Sequence, residues 1–486
     1  MTNPIKYHNP PIVKVKLTLI FILLLCCTGT LLHAQSYAYG SVVDANTKAI
    51  KNLNAYSLGA DGPPDAYSLK QYCPTPGNQG QVGSCTAWAL GYGILTMKYA
   101  IENSITTKYT IDNNTFSSMY IFNDIKNTNC PIGSADMCNA CGSNFFDGLN
   151  FLKRNGDVYH KRYNDDLTCF RYSVNSDDKG DLKIVSGATV FNENYSADDK
   201  IERVIEQIYN QNPVFLSVDL PQSYGDHTYF EDPYFPNGVW TPPAGAVPNY
   251  HFAHALTIVG YDRNSQTFEI LNSWGTKWAN KGFCYMSFND FIKYATYGGV
   301  VFTEHKVVSS SYKTLELSLE KYKRVQGTVH PDANLDVSFN SDHYEANAPQ
   351  GQLFKVNFTR LPDAYYAYIM SYDANGKAQI HFPLNNENPY IYNNNLSLVL
   401  PKQSVLVFNQ VSDRIVIVLS KHEINNLKER FESTVLKSGD LLTNLNTAFD
   451  AGQGQSQLRY DDGKIKISIP DNFSQSIVLL VNLKQN

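Results

Sequence analysis

Asn78-Gln79-Gly80-Gln81-Val82-Gly83-Ser84-Cys85-Thr86-Ala87-Trp88-Ala89 is the stretch on which the fold turns. A glycine-rich loop ends in Ser84-Cys85, and a helical pattern begins there. Trp88, Leu90, Ile94, Leu95 and Met97 can share one apolar side. Cys85 is therefore expected at a helix N-terminus, where unpaired amides and the helix dipole favour a thiolate over a thiol. A nucleophilic cysteine needs such surroundings. Taken alone, a buried structural cysteine is the plainer alternative.

Two later segments supply partners. Ala253-His254-Ala255-Leu256-Thr257-Ile258-Val259-Gly260-Tyr261-Asp262 opens with a histidine and continues as an apolar, β-branched run that reads as a buried strand. A lone histidine there is more often structural than catalytic. Phe268 to Leu271 reads as a second strand, and Asn272-Ser273-Trp274-Gly275 follows it. The Asn272 amide oxygen can accept one imidazole N–H, which leaves the other ring nitrogen to face sulfur.

In this chain order the three segments resemble the signature of papain-like cysteine peptidases of the secreted bacterial type: Gln-Gly…Gly-Ser-Cys, then His-Ala…Val-Gly-Tyr, then Asn-Ser-Trp-Gly. The resemblance covers residues 61–305, about half of the chain. It implies an α+β class with a helical lobe and a β-barrel-like lobe. It also implies Cys85 as nucleophile, His254 as base and Asn272 as the group orienting that base. Gln79 matches the oxyanion-hole glutamine, acting with the Cys85 backbone N–H. Trp274 matches the tryptophan that shields the His–Asn hydrogen bond. Cys138-Asn139-Ala140-Cys141-Gly142-Ser143 resembles the cleft segment that pairs with extended substrate, so Gly142, Ser143 and Ala253 are candidate substrate-binding residues. The family also implies a hydrophobic substrate side chain two positions before the cut.

The departures are specific. Thr86 follows the cysteine where an aromatic residue is usual, and Val82 replaces a cysteine that commonly forms a disulfide. His254 and Asn272 lie farther from Cys85 than the roughly 130–150 residues usual for papain, so insertions are expected between the halves. The region before Cys85 is too short for the long helical pro-segment of papain precursors. Latency, if present, is expected from residues 35–60 or from the C-terminal domain.

Lys6, Lys14 and Lys16 precede an apolar run from Leu17 to Leu32, and Ala34 closes it, so residues 1–34 read as a secretory signal peptide. Export to the periplasm or beyond is expected, without stable membrane insertion after cleavage; a lipid anchor at Cys26 or Cys27 is the weaker option. Seven cysteines follow: Cys73, Cys85, Cys130, Cys138, Cys141, Cys169 and Cys284. The odd number points to one free thiol, with the other six available for three bridges. By analogy with the family, Cys169 pairs with Cys130 or Cys138. Zinc on Cys130, Cys138, Cys141 and Cys169 is the competing reading, and His251 lacks partners for a metal site. No cofactor and no metal are expected. The formal net charge of −5 gives no basic field for nucleic acid, and polypeptides are the expected partners.

Residues 35–60 are polar and turn-rich and read as a leader. Ser309-Ser310-Ser311 falls in a linker, 306–314, and residues 315–486 read as a β-rich, sandwich-like accessory domain. Leu315, Leu317 and Leu319 alternate with polar residues, as do Phe354, Val356 and Phe358, and Ile465, Ile467 and Ile469. Asp373-Ala374-Asn375-Gly376 and Asp461-Asp462-Gly463 are hairpin signals, and a helix is expected from Glu423 to Glu432. Tyr368 to Asp373, Phe382-Pro383, Leu400-Pro401 and Val418 to Lys421 resemble an uncharacterised bacterial domain found beside secreted peptidases. No catalytic constellation is visible there. The rival readings are an exopeptidase or transpeptidase on the same fold, a papain-like binding or adhesion protein without turnover, and a zinc hydrolase.

Overall fold

The apolar run that starts at His254 becomes strand β6 (Ala253–Asp262), the spine of a seven-stranded sheet. Its neighbours are β5 (Val214–Asp219) and β7 (Thr267–Leu271), both antiparallel to it. The path through the sheet is β4 (Ile184–Phe191), β9 (Ala295–Thr303), β5, β6, β7 and β8 (Phe283–Ser287), with β2 (Ala66–Ser68) paired to β6. These strands are buried on both faces, which explains their near-continuous apolar sequences. The description is of a computed structural model and covers residues 37–53, 62–126, 142–163, 180–303, 312–373, 376–384, 386–392, 397–409, 413–451, 459–460, 465–470 and 473–485. Residues 1–34, read above as a signal peptide, and Cys130, Cys138, Cys141 and Cys169 lie outside these residues, as does the expected Asp461-Asp462-Gly463 turn.

Against the sheet packs one helical run made of Cys85–Ala87, Trp88–Leu95 and Thr96–Glu102. Its middle part is wound with the wider i→i+5 bonding. The expectation of one apolar side is corrected here: the run is buried nearly all round, including Ala89, Leu90, Ile94 and Leu95. Gly91 and Gly93 make this possible. A Cβ on Gly91 would stand 2.7 Å from the Asp157 carboxylate, and one on Gly93 2.7 Å from Thr257 Oγ1 on β6. Phe145, Phe215, Ala255 and Tyr297 complete the core between helices and sheet.

The C-terminal region forms two further seven-stranded sheets. Tyr312–Val325, Leu353–Arg360 and Ile465–Pro470 are central to one; Tyr365–Tyr372, Arg414–Ser420 and Ile477–Gln485 to the other. Leu315, Leu317, Leu319, Phe354, Val356, Phe358, Ile465, Ile467 and Ile469 all enter the shared core, opposite Ile369, Ile417 and Leu479. The period-two alternation is thus the inner face of a sandwich. The helix expected from Glu423 starts later, at Leu427–Val435, because Asn426 before it takes a left-handed conformation (φ 54°). A second helix, Leu441–Ala448, was not anticipated; Asp440 caps it by accepting the Thr443 N–H. Ala38 to Asn486 form one compact unit.

The expectation of three disulfides is also corrected. Cys73, Cys85 and Cys284 are all free thiols and all buried. Cys73 Sγ lies 3.7 Å from Met97 Sδ, and Cys284 is an inward residue of β8, so both serve as small core residues.

Candidate active site

The register of β6 and β7 pairs Thr257 with Leu271. Asn272, one step beyond that pair, therefore comes alongside the start of β6, where His254 stands. Asn272 Oδ1 accepts from His254 Nε2 at 2.9 Å and from the Ser273 N–H at 2.7 Å. Two donors on one atom identify it as the amide oxygen, so Nε2 carries the imidazole proton and Nδ1 is left with its lone pair. Nδ1 has no hydrogen-bond partner among the described residues. Trp274 stacks on the ring, with centroids 4.6 Å apart and planes 29° apart, and both rings are buried.

Cys85 is the first residue of the helical run and is fully buried. Backbone N–H groups of Ala255, Thr86 and Gly40 surround its thiol. Ala255 directly follows His254, so the thiol sits beside the start of β6. Burial pushes the thiol up to about 11, against the pull of those N–H groups. Burial likewise pushes His254 down to about 4, opposed by the bond to Asn272. Thiol and imidazole are both held neutral in this arrangement.

The cause of that dryness is the leader. Residues 38–42 lie across Cys85. Gln79 Nε2 donates to Ala38 O (3.1 Å) and to Val82 O (2.9 Å). Its Oε1 accepts from the Ser273 hydroxyl at 2.5 Å, which fixes the amide with its N–H groups facing the cleft. The Gly40 N–H donates to Ala253 O (3.0 Å), and the Ser143 N–H donates to Gly40 O (2.8 Å). Strand β1 (Ser41–Val42) then pairs in parallel with β3 (Ser143–Asn144). Gly142 (φ +52°) backs onto Gly40, since a Cβ there would be 2.9 Å from Gly40 O. All three residues expected to bind a peptide backbone, Gly142, Ser143 and Ala253, thus border this segment.

Tyr39 lies edge-on to His254 (6.0 Å) and to Trp274 (5.9 Å), and its hydroxyl donates to Glu231 (2.9 Å). Glu231 belongs to the long segment between β5 and β6. Farther along, residues 50–53 run between the two halves of the molecule. The Leu53 N–H donates to Thr189 O and the Thr189 N–H to Lys51 O (2.7 and 2.9 Å). On the other side the Asn52 N–H donates to Asn386 O and the Asn388 N–H to Asn52 O (2.8 and 2.9 Å). Lys51 also pairs with Glu423 at 2.5 Å.

Sequence reasoning brought together Cys85, His254, Asn272, Gln79 and Trp274, and the structure gathers all five. It missed Ser273, which orients Gln79, and the seated segment Tyr39-Gly40-Ser41. Ser273 was legible in principle as a hydroxyl next to Asn272. The contacts of the leader are mostly backbone ones and carry no side-chain motif.

A two-lobed α+β domain with a buried Cys and a His–Asn pair under a tryptophan defines a cysteine-peptidase class. Residues 65–298, just under half of the chain, match the papain family of cysteine proteases. It is 26% identical over 234 residues to a cysteine protease of Blomia tropicalis, covering 45% of this chain and 61% of that protein. It is 23% identical over 274 residues to an uncharacterized peptidase C1-like protein of Acanthamoeba polyphaga mimivirus, covering 54% and 78%. The chain thus spans less than two thirds of the first of these relatives. Among solved structures, xylellain, a cysteine protease from Xylella fastidiosa, aligns at 17% identity and a TM-score of 0.41, covering 55% of this chain and 97% of that one. The digestive procathepsin L 3 of Tenebrio molitor aligns at 14% identity and a TM-score of 0.38, covering 61% and 94%. The family match ends before the C-terminal sandwich.

Proposed function

We propose that the chain hydrolyses peptide bonds with Cys85, His254 and Asn272, and that residues 38–53 keep it latent until they leave the cleft. The carrying observation is the 2.9 Å bond from His254 Nε2 to Asn272 Oδ1, which leaves the Nδ1 lone pair without a partner among the described residues and free to act as the base. His254 Nδ1 takes the Cys85 proton, and the thiolate attacks the scissile carbonyl carbon. The oxyanion accepts from Gln79 Nε2 and from the Cys85 N–H. As the C–N bond breaks, His254 returns the proton to the leaving amine. Water, deprotonated by His254, then cleaves the thioester and restores the thiol.

In the latent state the Ala38 carbonyl takes the oxyanion's place on Gln79, and Tyr39 closes over His254 and Trp274. The C-terminal sandwich acts as the latch, through Asn386, Asn388 and Glu423 on leader residues 50–52. We read export from the apolar run behind Lys6, Lys14 and Lys16. Among the described residues no helix is long and apolar enough to cross a membrane.

The test is labelling with a peptidyl epoxide that alkylates thiolates, followed by peptide mapping. Once the leader is displaced, the label is expected on Cys85. Label confined to Cys73 or Cys284 contradicts the reading. Gln79→Ala is expected to lower kcat about 10²–10³-fold with little change in KM, measured on a fluorogenic peptide after activation.

The seated leader also predicts a pH dependence. In the unfolded chain the His254 ring titrates near 6.5, while burial holds the seated one near 4. Between these values the unfolded chain binds a proton that the seated form refuses. The seated form is therefore favoured above about pH 6.5 and loses stability as pH falls towards 4, by about 2 kcal/mol between pH 7 and pH 5. Thermal midpoints of the full chain at the two pH values check this. The drop is expected to shrink in His254→Gln, a comparison that removes the parallel contribution of His381, which burial also lowers to about 4.

A further inference from the structure

The leader strand reports on what the cleft accepts. Gly40 lies over the Cys85 thiol, and the next side chain, Ser41, turns inward and is buried. Its Oγ lies 2.8 Å from Oγ of Ser217, a fully buried residue of β5. Ser217 pairs with Ala255 on one side and with Tyr297 on the other, so the three side chains share one face of the sheet. The same face carries Phe215, two residues before Ser217 and paired with Thr257, and Phe145 packs on Phe215 and Tyr297. The Ser217 hydroxyl thus stands between Ala255 and Tyr297, and the Ser41 hydroxyl is the group that meets it.

We propose that Ser217 makes the recess beside Cys85 selective for a small, hydroxyl-bearing side chain, serine above all, at the substrate residue preceding the one whose carbonyl is attacked. This rests on the peptidase reading and runs against the hydrophobic preference that the family implies. Two features carry it. Serine fits the recess with its hydroxyl paired, as Ser41 does. Leucine or phenylalanine reaches farther than Ser41, whose buried Oγ already lies 2.8 Å from the Ser217 Oγ, and its arrival strips the Ser217 hydroxyl of water without a partner.

The test uses the full chain carrying Gly40→Val, which unseats the leader, and fluorogenic substrates that differ only at this position. Serine is expected to exceed leucine at least tenfold in kcat/KM. Ser217→Ala is expected to reduce the serine substrate about tenfold and to leave the alanine substrate within about twofold. Cleavage with leucine preferred and no response to Ser217→Ala overturns the proposal while leaving the peptidase reading intact. No cleavage of any substrate together with an unlabelled Cys85 strikes at the peptidase reading instead. A second measurement needs no turnover. Ser41→Leu in the otherwise unaltered chain is expected to raise the alkylation rate of Cys85 tenfold or more, and Ser41→Ala much less. Equal rates for the two variants overturn the size limit of the recess.

Discussion

Cys85→Ala is expected to abolish peptide hydrolysis, by at least about 10⁴-fold in kcat, while leaving the chain folded. Loss of a nucleophile leaves only binding and oxyanion stabilisation, and neither can form the acyl-thioester. The fold should tolerate the change, since the thiol contributes no disulfide and alanine leaves only a small void. Cleavage assays on activated protein, with circular dichroism as the folding control, measure this. Cys73→Ala and Cys284→Ala form the matched controls: both thiols are buried and pushed upwards by desolvation, away from His254, and both variants should keep their turnover.

Gly40→Val is the second large effect, with the opposite sign. A Cβ on Gly40 would lie 2.3 Å from Gly83 O and 2.8 Å from Gly83 C, both backbone atoms of the loop leading to Cys85. Neither can yield without moving that loop, so the leader must lift instead. Its hydrogen bonds to Ala253, Ser143 and Gln79 are then exchanged for water, each at a net cost of about 0.5–1.5 kcal/mol. The rate of Cys85 alkylation in the full chain is expected to rise at least tenfold, with activity appearing without proteolysis. Weakening the latch, by Lys51→Ala with Glu423→Ala, should act in the same direction but more weakly. That ion pair is nearly half exposed on both sides.

The candidate-site segments were legible because their sequence signals are local. A glycine-rich turn before Cys85, a histidine at the head of a β-branched run and an Asn-Ser-Trp-Gly end each leave a mark in sequence. The sandwich was legible for the same reason, through alternations such as Leu315, Leu317 and Leu319. The leader's position was not legible beyond its polar composition. Its hold depends on backbone groups of Ala253, Ser143 and Asn386, and on the missing Cβ of Gly40, and none of these is a property of the segment itself. Ser217 was hidden inside an apolar strand, where serine reads as an interruption until the register sets it beside Ser41. The central helix differs in another way. Trp88, Leu90, Ile94, Leu95 and Met97 mark one apolar side, whereas burial nearly all round depends on Gly91 and Gly93, the points where the helix meets Asp157 and Thr257 closely.

In the proposed mechanism the neutral state of Cys85 and His254 belongs to the seated leader. Once the leader leaves, water and substrate are expected to reach both groups, the desolvation that separates them to fall, and the proton to pass from sulfur to Nδ1. On that proposal latency and reactivity are two states of one pair.

The rate of Cys85 alkylation as a function of pH, in the Gly40→Val chain and in the unaltered chain, tests this most directly. Persistent reactivity at pH 5 to 6 in the unseated chain, lost in His254→Ala, with a slow rate in the unaltered chain, is the predicted result. An unseated thiol that reacts only above about pH 8, as an ordinary cysteine does, and is indifferent to His254, would contradict it.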